Sequence, residues 1–276
     1  ADSFVVRPLT FPGGSIGELA VNGPVNDLAL GGAKPLALMA TLIIEAGLDK
    51  GELERQVRTM SEAAKRAGVP IIGGDTKVVE HGKADGLYIT TAGLGLVDPR
   101  VNLGAHQVRP GDQVLLSGPI GDHGMTILLA RGEVELEADL ASDTRPLWPF
   151  VSALIEAAAP GLRWMRDPTR GGVATALNEL ARDAQLSVVL EEEALPVRPA
   201  VRGACEILGL DPLHIANEGQ FLAVVAPELA QAALEAIRQI PGGDEACLIG
   251  EIRQEPKGKV LVASPYGGLR IVDMLV

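Results

Sequence analysis

The sequence predicts an α/β protein built from two domains. Apolar residues make up 47% of the 276 residues and charged residues 22%, close to the average for soluble globular proteins. Aromatic residues make up only 3%, so we expect a core of Ala, Val, Leu and Ile. Strand and helix patterns alternate along the chain, and a polar stretch without periodicity, 98–112, separates two such units. We therefore predict an N-terminal domain at 1–98 and a larger C-terminal domain at 111–276.

The first half shows strand and helix patterns in the order βαβαββ. The predicted helices begin at residues that cap helices well, and one of them ends at a glycine. The last two strand patterns flank a short turn, which is typical of a hairpin. In order, we predict a strand at 4–6, a helix at 16–30 capped by Ser15, a strand at 35–44, a helix between Asp49 and Gly68, a strand at 69–72 that ends at Gly73-Gly74-Asp75, and a hairpin of 76–79 with 87–96 around Gly82.

The second half continues the alternation. A strand at 113–117 leads into a glycine-rich turn, 118–124, and then into a helix. The acidic stretch 133–143 is expected at the surface. The remaining predictions are helices at 147–159, 172–184, 200–208 and 228–239, with strands near Ser187, Phe221, Ala246 and Val260 between them.

Charge and cysteine content narrow the class of protein. Twenty-four basic and 36 acidic residues give a net charge of −12 without a basic patch, which argues against a nucleic-acid partner. The longest apolar run, 35–44, is far shorter than the roughly 20 residues of a membrane span, and no segment resembles a signal peptide. Cys205 and Cys247 form no CxxC motif, which favours two reduced thiols in a cytoplasmic protein over a single disulfide.

Familiar catalytic signatures are missing or do not fit. Neither Gly82-Lys83 nor Gly258-Lys259 is followed by Ser or Thr, so the phosphate-binding GxxxxGK[ST] motif is absent. GGSIG at 13–17 matches the GxSxG pattern of hydrolases, with His214 downstream. A nucleophile elbow needs a strand running directly into the serine, and Pro12-Gly13-Gly14 stands there instead, so capping of a helix by Ser15 is the better interpretation.

Two segments of the first half combine glycine with charged residues. In VNDLALGGAKP, 25–35, Asn26-Asp27 interrupts the apolar residues of a helix, where a solvated acid is the simpler interpretation. In IIGGDTKVV, 71–79, Asp75 and Lys77 follow two glycines. Glycines let the backbone approach a phosphate, an Asp binds Mg²⁺ and a Lys neutralises anionic oxygens. A hairpin turn with a strand lysine is an equally open alternative.

Two segments of the second half precede predicted helices. In SGPIGDHG, 117–124, the free amides at a helix N-terminus suit an anion, although Asp122 acting only as a cap stays open. RDPTRGGVATALNELA, 166–181, pairs Asp167 with Arg170 at a helix entry, where capping by Asp167 or Thr169 is the alternative. Each segment alone is a weak signal, and their order and combination are the informative observation.

Five segments, taken in order, resemble the HypE family of hydrogenase maturation proteins. They are NDLALGGAKP, GGDTKVV, SGPIGDHG, DPTRGGV and ANEGQ. The resemblance runs from Asp2 to the end of the sequence. That family shares a superfamily with aminoimidazole ribonucleotide synthetase, selenophosphate synthetase and thiamine-monophosphate kinase. The NDLA and GD motifs are shared across the superfamily and indicate ATP use, whereas DTKVV, GDHG, DPTRGG and NEG are closer to HypE.

The resemblance implies a fold and a reaction. The fold would be PurM-like, with an N-terminal mixed sheet covered by helices and a larger C-terminal α/β sandwich. The reaction would be the ATP-dependent dehydration of a protein-bound S-carbamoyl cysteine to thiocyanate, the source of the cyanide ligands of [NiFe]-hydrogenase. Its cofactors would be ATP and Mg²⁺. Its partners would be a second copy in a homodimer, the carbamoyltransferase HypF and the HypC–HypD complex that receives the cyanide.

The resemblance also implies site residues. Asp2, Asp27 and Asp75 match the acids that would hold Mg²⁺, a cation that prefers oxygen ligands. Lys77 and Glu218 match the catalytic pair, in which Glu218 accepts a proton and Lys77 offsets charge on oxygen; without the other motifs, 217–219 would be interpreted as a surface turn. The expected ATP contacts are Asp27, Gly74, Asp75, Gly121, Asp122, His123, Asp167 and Arg170.

The sequence departs from the family pattern at both ends. The family usually ends in Pro-Arg-Ile-Cys, whereas this sequence ends at Met274-Leu275-Val276. A glycine-rich segment that precedes Asp2 in the family is also missing. We therefore expect a piece of a longer protein without its substrate cysteine, which Cys205 and Cys247 could not replace from inside α/β elements.

Two other functions stay open at this point. One is a superfamily kinase or synthetase that acts on a free small molecule. A selenophosphate synthetase would show a reactive cysteine near its N-terminal region, and no cysteine precedes Cys205. The other is a non-catalytic docking module that keeps the fold and binds maturation partners.

Overall fold

The computed structural model describes residues 1–132, 136 and 138–274, and it contains two large sheets. Of the predicted acidic surface stretch, residues 133–135 and 137 lie outside the described part. The elements of the first half are β1 (Asp2–Phe4), β2 (Thr10–Phe11), β3 (Gly14–Ser15), α1 (Ile16–Leu30), β4 (Ala33–Glu45), α2 (Lys50–Ala67), β5 (Ile71–Val79) and β6 (Leu87–Val97).

The first sheet has four strands in the order β1-β6-β4-β5, and β2 and β3 form a separate small pair. The two predicted helices are confirmed. Ser15 accepts a hydrogen bond from the Glu18 amide at the start of α1, and Asp49 does the same for Glu52 at the start of α2. Apolar residues of both helices pack with Leu38 of β4 on one face of the sheet. The opposite face is exposed.

The predicted hairpin of 76–79 with 87–96 is wrong. β4 lies between β5 and β6, pairing with β5 in parallel and with β6 antiparallel. The strand predicted to end at residue 72 is continuous with the predicted strand at 76–79 and runs to Val79, so Asp75 lies within a strand and not in a turn after one. Gly74 makes this pairing possible, because a Cβ there would lie 1.7 Å from the Ala40 carbonyl oxygen of β4.

The first strand is also displaced from its predicted position. It covers Asp2–Phe4 instead of 4–6, and Asp2 pairs with Thr91 of β6. Phe4 is buried in the core between the sheet and α1. The shift places Asp2 within regular structure, where its backbone is held by the sheet.

The second half forms a sandwich of helices around one sheet. Its elements are β7 (Gln113–Leu116), α3 (Asp122–Ala130), α4 (Trp148–Ala158), β8 (Leu162–Arg166), α5 (Gly172–Ala184), β9 (Ser187–Glu191), α6 (Pro199–Leu208), β10 (Leu222–Val225), α7 (Pro227–Arg238), β11 (Cys247–Arg253), β12 (Lys259–Ala263) and β13 (Leu269–Val272). The seven strands are ordered β13-β12-β9-β11-β7-β10-β8. The predicted helices of this half are confirmed within one or two residues at each end.

Both faces of this second sheet are buried. Successive side chains of a strand point to opposite faces of a sheet, so each strand contributes apolar residues to both cores. On β7, Val114 and Leu116 face the core under α5, whereas Leu115 faces the core under α4 and α7. Ala29 and Leu30, at the end of α1, belong to that second core. The first half therefore packs into the second through α1. Within the described residues, no helix combines the length and apolar character that crossing a bilayer requires.

Candidate active site

A cleft of about 1100 Å³ lies between the two halves of the chain. It is lined by β1, by α1, by the start of α3, by the segment that precedes α5 and by residues 214–218. Four carboxylates face it among the described residues, together with two histidines and three arginines. The predicted site residues that line it are Asp2, Asp27, His123, Asp167, Arg170 and Glu218.

Asp2 and Asp27 are brought together by a close contact between β1 and α1. Gly23 lies one turn before Asp27 on α1, and a Cβ at Gly23 would be 2.6 Å from the Phe4 ring and 3.6 Å from Asp2 Oδ2. The missing side chain thus lets β1 lie against α1. Removal from solvent, together with the negative charges of Asp167 and Asp2, raises the pKa of Asp27 to about 6.

Glu218 lies in a turn that is held from several sides. Its amide donates to Asp143 Oδ1 at 3.1 Å, and its carbonyl oxygen accepts from Asn26 Nδ2 at 3.2 Å. A Cβ on Gly219 would lie 1.7 Å from the Asp143 carbonyl oxygen, so this position requires glycine. Burial raises the pKa of Glu218 to about 8, and the negative charges of Asp143 and the cleft carboxylates act in the same direction.

Asn217 ties the same turn to two other predicted segments. Its side-chain oxygen accepts from the Gly121 amide at 2.7 Å, and its Nδ2 donates to the Pro168 carbonyl at 3.0 Å. The SGPIGDHG, DPTRGG and ANEG segments therefore meet at one buried asparagine. The three motifs are distant in sequence but lie next to one another in the fold.

Asp143 is a site residue that the sequence analysis missed. It is buried beside Glu218, and burial raises its pKa to about 6. Its Oδ2 atom has no hydrogen-bond partner among the described residues. No sequence signal identifies it, because it belongs to an acidic stretch without a recognisable motif.

Asp167 and Arg170 precede α5 without capping it. The residue at the cap position is Gly171, and no side chain caps this helix, so the capping alternative for Asp167 and Thr169 is wrong. Thr169 Oγ1 instead donates to Asp167 Oδ2 at 2.8 Å. Asp167 therefore points its carboxylate toward the cleft with one oxygen already held.

The three predicted residues at the start of α3 have different surroundings. His123 lines the cleft, and its Nδ1 lies 2.8 Å from Ser142 Oγ. Burial lowers the pKa of His123 to about 4, so the ring is neutral at pH 7. Asp122 is buried and pairs with Arg198 at 2.9 Å, and neither it nor Gly121 lines the cleft. An ATP contact through the Asp122 side chain is thus not supported.

Ser15, the serine of the GxSxG match, is a structural residue. It is buried, it caps α1 and its hydroxyl lies 2.8 Å from that of Thr59. His214 lines the cleft, but Ser15 does not. The geometry gives no support to a serine hydrolase.

Asp75 does not join Asp2 and Asp27 within one chain. β5 and β1 are the opposite edges of the first sheet, and three strand spacings amount to about 14 Å. Asp2 pairs with Thr91, which faces α1, whereas Asp75 pairs with Thr41, whose side chain faces the opposite side. Gly74 and Lys77 lie on the same exposed edge strand. The expected set of three metal ligands is therefore incomplete in a single chain.

The cleft nevertheless suits a nucleotide with a magnesium ion. In the described part of the chain, no group of three acidic, histidine or cysteine side chains forms a complete metal site. The cleft carboxylates, however, raise one another's pKa, which shows that negative charge accumulates there and is only partly offset by positive groups such as Arg166. Oxygen ligands are those that Mg²⁺ prefers, usually together with substrate phosphates. Asp2, Asp27 and Asp167 are the residues that would hold such an ion.

Comparisons with known proteins agree with this geometry. Sequence profiles of the AIR synthase related protein match residues 1–97 (N-terminal domain) and 109–263 (C-terminal domain). Carbamoyl dehydratase HypE of Azotobacter vinelandii is 52% identical over 99% of this chain and 80% of its own length. HypE of Escherichia coli is 45% identical over the same shares of the two chains.

Solved structures give the same result. A crystal structure of hydrogenase maturation protein HypE in complex with ATP has a TM-score of 0.95 at 43% identity, covering all of this chain and 84% of that one. The HypE chain of a HypE–HypF complex has a TM-score of 0.94 at 45% identity, covering 99% of this chain and 89% of that one. Thiamine monophosphate kinase of Aquifex aeolicus, at 19% identity and a TM-score of 0.69, shares the fold alone.

Proposed function

The chain belongs to the HypE carbamoyl dehydratase family, and from this premise we propose that it converts an S-carbamoyl cysteine to a thiocyanate with ATP during hydrogenase maturation. The single observation that supports the chemistry best is Glu218, a half-buried carboxyl group with a raised pKa in a cleft lined by further carboxylates. A proton acceptor is most effective when its pKa lies near the working pH. An ordinary surface glutamate would lack this property.

The overall step removes the oxygen and both amide protons of the carbamoyl group. When bound, Mg²⁺-ATP supplies the phosphoryl group that turns the carbamoyl oxygen into a leaving group. One amide proton leaves to solvent once the oxygen carries the phosphoryl group, and Glu218 accepts the second proton from nitrogen as the C–O bond breaks and the carbon–nitrogen triple bond forms. The products are thiocyanate, ADP and phosphate. Asp2, Asp27 and Asp167 are the residues that would hold the cation in the cleft.

We further propose that the working unit is a homodimer in which the second copy supplies Asp75 and Lys77. These two side chains lie on the same face of the first sheet as Met39, according to the strand register. That face also exposes Leu94 of β6. Exposed apolar sheet faces with an uncovered edge strand are surfaces that proteins bury by association. Association through this face would carry Asp75 and Lys77 toward the cleft of the other copy.

Three further parts of the assignment follow from the family. HypF is the partner that supplies the carbamoyl group, as the structure of a HypE–HypF complex supports. We propose that the HypC–HypD complex receives the cyanide. We also propose a cytoplasmic location, which agrees with the two free thiols Cys205 and Cys247.

The reaction is tested on the full-length protein that carries the C-terminal cysteine of the family. After carbamoylation by HypF, mass spectrometry of the C-terminal peptide should show the loss of one water when Mg²⁺-ATP is added. A non-hydrolysable ATP analogue is the control and should give no loss. Loss of water that is equally fast without ATP would refute the proposed function.

A further inference from the structure

Both main-chain polar groups of Glu218 are held by side chains from other parts of the chain. The Glu218 amide donates a hydrogen bond to Asp143, and the Glu218 carbonyl oxygen accepts one from Asn26. A carboxylate on a surface turn would move freely, whereas a turn fixed at both peptide groups holds its side chain in one place. The position of the proton acceptor therefore depends on Asn26 and Asp143, two residues that lie outside the turn itself.

Asn26 makes three hydrogen bonds and is almost completely buried, with 3% of its surface exposed. Its Nδ2 donates to the carbonyl oxygens of Arg145 at 3.0 Å and Glu218 at 3.2 Å, and its Oδ1 accepts from the Leu147 amide at 2.8 Å. One side chain of α1 thus holds two separate segments of the second half. All its hydrogen-bonding groups are used.

Asn26 also adjoins Asp27 in the sequence. Asp27 faces the cleft from α1, while Glu218 faces it from the second half. Because Asn26 is rigidly attached to Asp27 through the helix and hydrogen-bonded to Glu218, it fixes the spacing between these two walls of the cleft. The hydrogen bond of Arg145 Nε to the Gly219 carbonyl, at 2.8 Å, strengthens the same link.

We propose that Asn26 is a positioning residue for the dehydration, because it holds Glu218 at a set distance from the carboxylates of α1. This inference rests on the proposed function, in which Glu218 is the proton acceptor. Misplacement of a reacting group by about 1 Å can cost about 10²-fold in rate. Asn26 borders the cleft, but its Nδ2 and Oδ1 are already bonded to the protein, so we expect its loss to affect the chemical step more than nucleotide binding.

Asn22 provides a matched control on the same helix. It lies one turn before Asn26 and is equally buried. Its Nδ2 donates to Thr144 Oγ1 at 3.1 Å, a hydrogen bond that also joins α1 to the second half of the chain. Asn22 makes no hydrogen bond to residues 217–219. Asn22→Ala therefore removes a buried hydrogen bond between the two halves without releasing Glu218.

The test is a double-mutant cycle on the full-length protein, with the single-turnover rate of water loss as the readout. Asn26→Ala should slow the reaction by about 10–100-fold, while the Kd for Mg²⁺-ATP changes by less than about threefold. In the Glu218→Gln background, the same substitution should cost less than about threefold, because the group that it positions no longer accepts a proton. Asn22→Ala should leave the rate within about twofold of the wild type.

Each outcome distinguishes the inference from the proposed function. A normal rate in Glu218→Gln alone refutes the proton acceptor and, with it, both proposals. A slow Glu218→Gln together with a normal Asn26→Ala refutes only the positioning role, and so does an equal loss from Asn26→Ala in both backgrounds. If Asn26→Ala does not fold, Asn26→Asp replaces it, because the aspartate keeps the volume and the acceptor for Leu147 while an acidic oxygen takes the place of the amide donor to Glu218.

Discussion

Lys77 Nζ lies 2.8 Å from Asp75 Oδ2, and the two residues point to the same side of the exposed strand β5. The pKa of Asp75 is lowered, mainly because its carboxylate accepts a hydrogen bond from Lys77. The predicted catalytic lysine and one predicted magnesium ligand thus form a unit on the sheet edge opposite Asp2. If they act in the reaction, they act together and reach the site of another copy.

The first prediction tests this arrangement by complementation. Asp75→Asn and Glu218→Gln subunits, each inactive alone, are mixed and allowed to exchange. A mixed dimer then has one site in which Glu218 and the partner-supplied Asp75 are both intact. Because about half of the dimers are mixed and each has one working site, activity should return to about a quarter of the wild type. The assay measures water loss from the carbamoylated cysteine.

Two observations would contradict this prediction. Mixed subunits that remain inactive, although light scattering shows that they exchange, would place Asp75 and Glu218 in the site of the same copy. A protein that stays monomeric over micromolar concentrations would rule out the homodimer itself. Wild-type subunits treated in the same way are the control for losses during exchange.

The second prediction separates binding from chemistry at Glu218. Glu218→Gln keeps the shape of the side chain and cannot accept a proton at neutral pH. Mg²⁺-ATP should bind as before in calorimetry, whereas the dehydration rate should fall by about 10²–10⁴-fold, the usual range for losing acid–base catalysis. Near-normal water loss in the variant would return Glu218 to the role of a turn residue.

The third prediction concerns stability and pH. The pKa of Glu218 is about 8 in the folded protein against an ordinary 4.5, so between these values the folded state retains a proton that the unfolded state releases. Rising pH therefore lowers the free energy of unfolding through this window. Urea denaturation without magnesium should show Glu218→Gln gaining stability relative to the wild type at pH 8.5 but not at pH 4. Equal differences at both pH values would show that the carboxyl group is not buried in this way.

The fourth prediction concerns the glycine after Glu218. Gly219→Ala introduces a Cβ that would lie 1.7 Å from the Asp143 carbonyl oxygen, and overpacking of this kind costs about 1–3 kcal/mol. The turn should shift, with a lower Tm and a slower dehydration. Gly203→Ala is the control, because a Cβ there meets nothing within 4 Å on helix α6, and it should be neutral or slightly stabilising. A Gly219→Ala protein with normal Tm and rate would contradict the rigid turn.

Local patterns were sufficient to predict the helices and most of the longer strands of this fold, whereas β8 and β13 were not predicted. The caps at Ser15 and Asp49 mark helix starts that the structure contains, and the glycine-rich segment before α3 leads into a helix as predicted. These features depend on residues within one turn of each other. The motifs around Asp27, Asp167 and Glu218 were recognisable for the same reason, since each is a short continuous segment.

What the sequence determined by itself was the helices, most of the longer strands and the family to which its motifs belong. The tertiary structure alone decided that β4 separates β5 from β6, that Asp75 faces away from Asp2, and that Asp143 lies beside Glu218. The reason is that strand neighbours and the faces of side chains depend on pairing between distant segments. The pairing register of β4 with β5 shifts between Leu38 and Met39, and this shift determines on which face of the sheet Asp75 lies. A shift of one residue exchanges the two faces of a strand. No periodicity within a single segment contains that information.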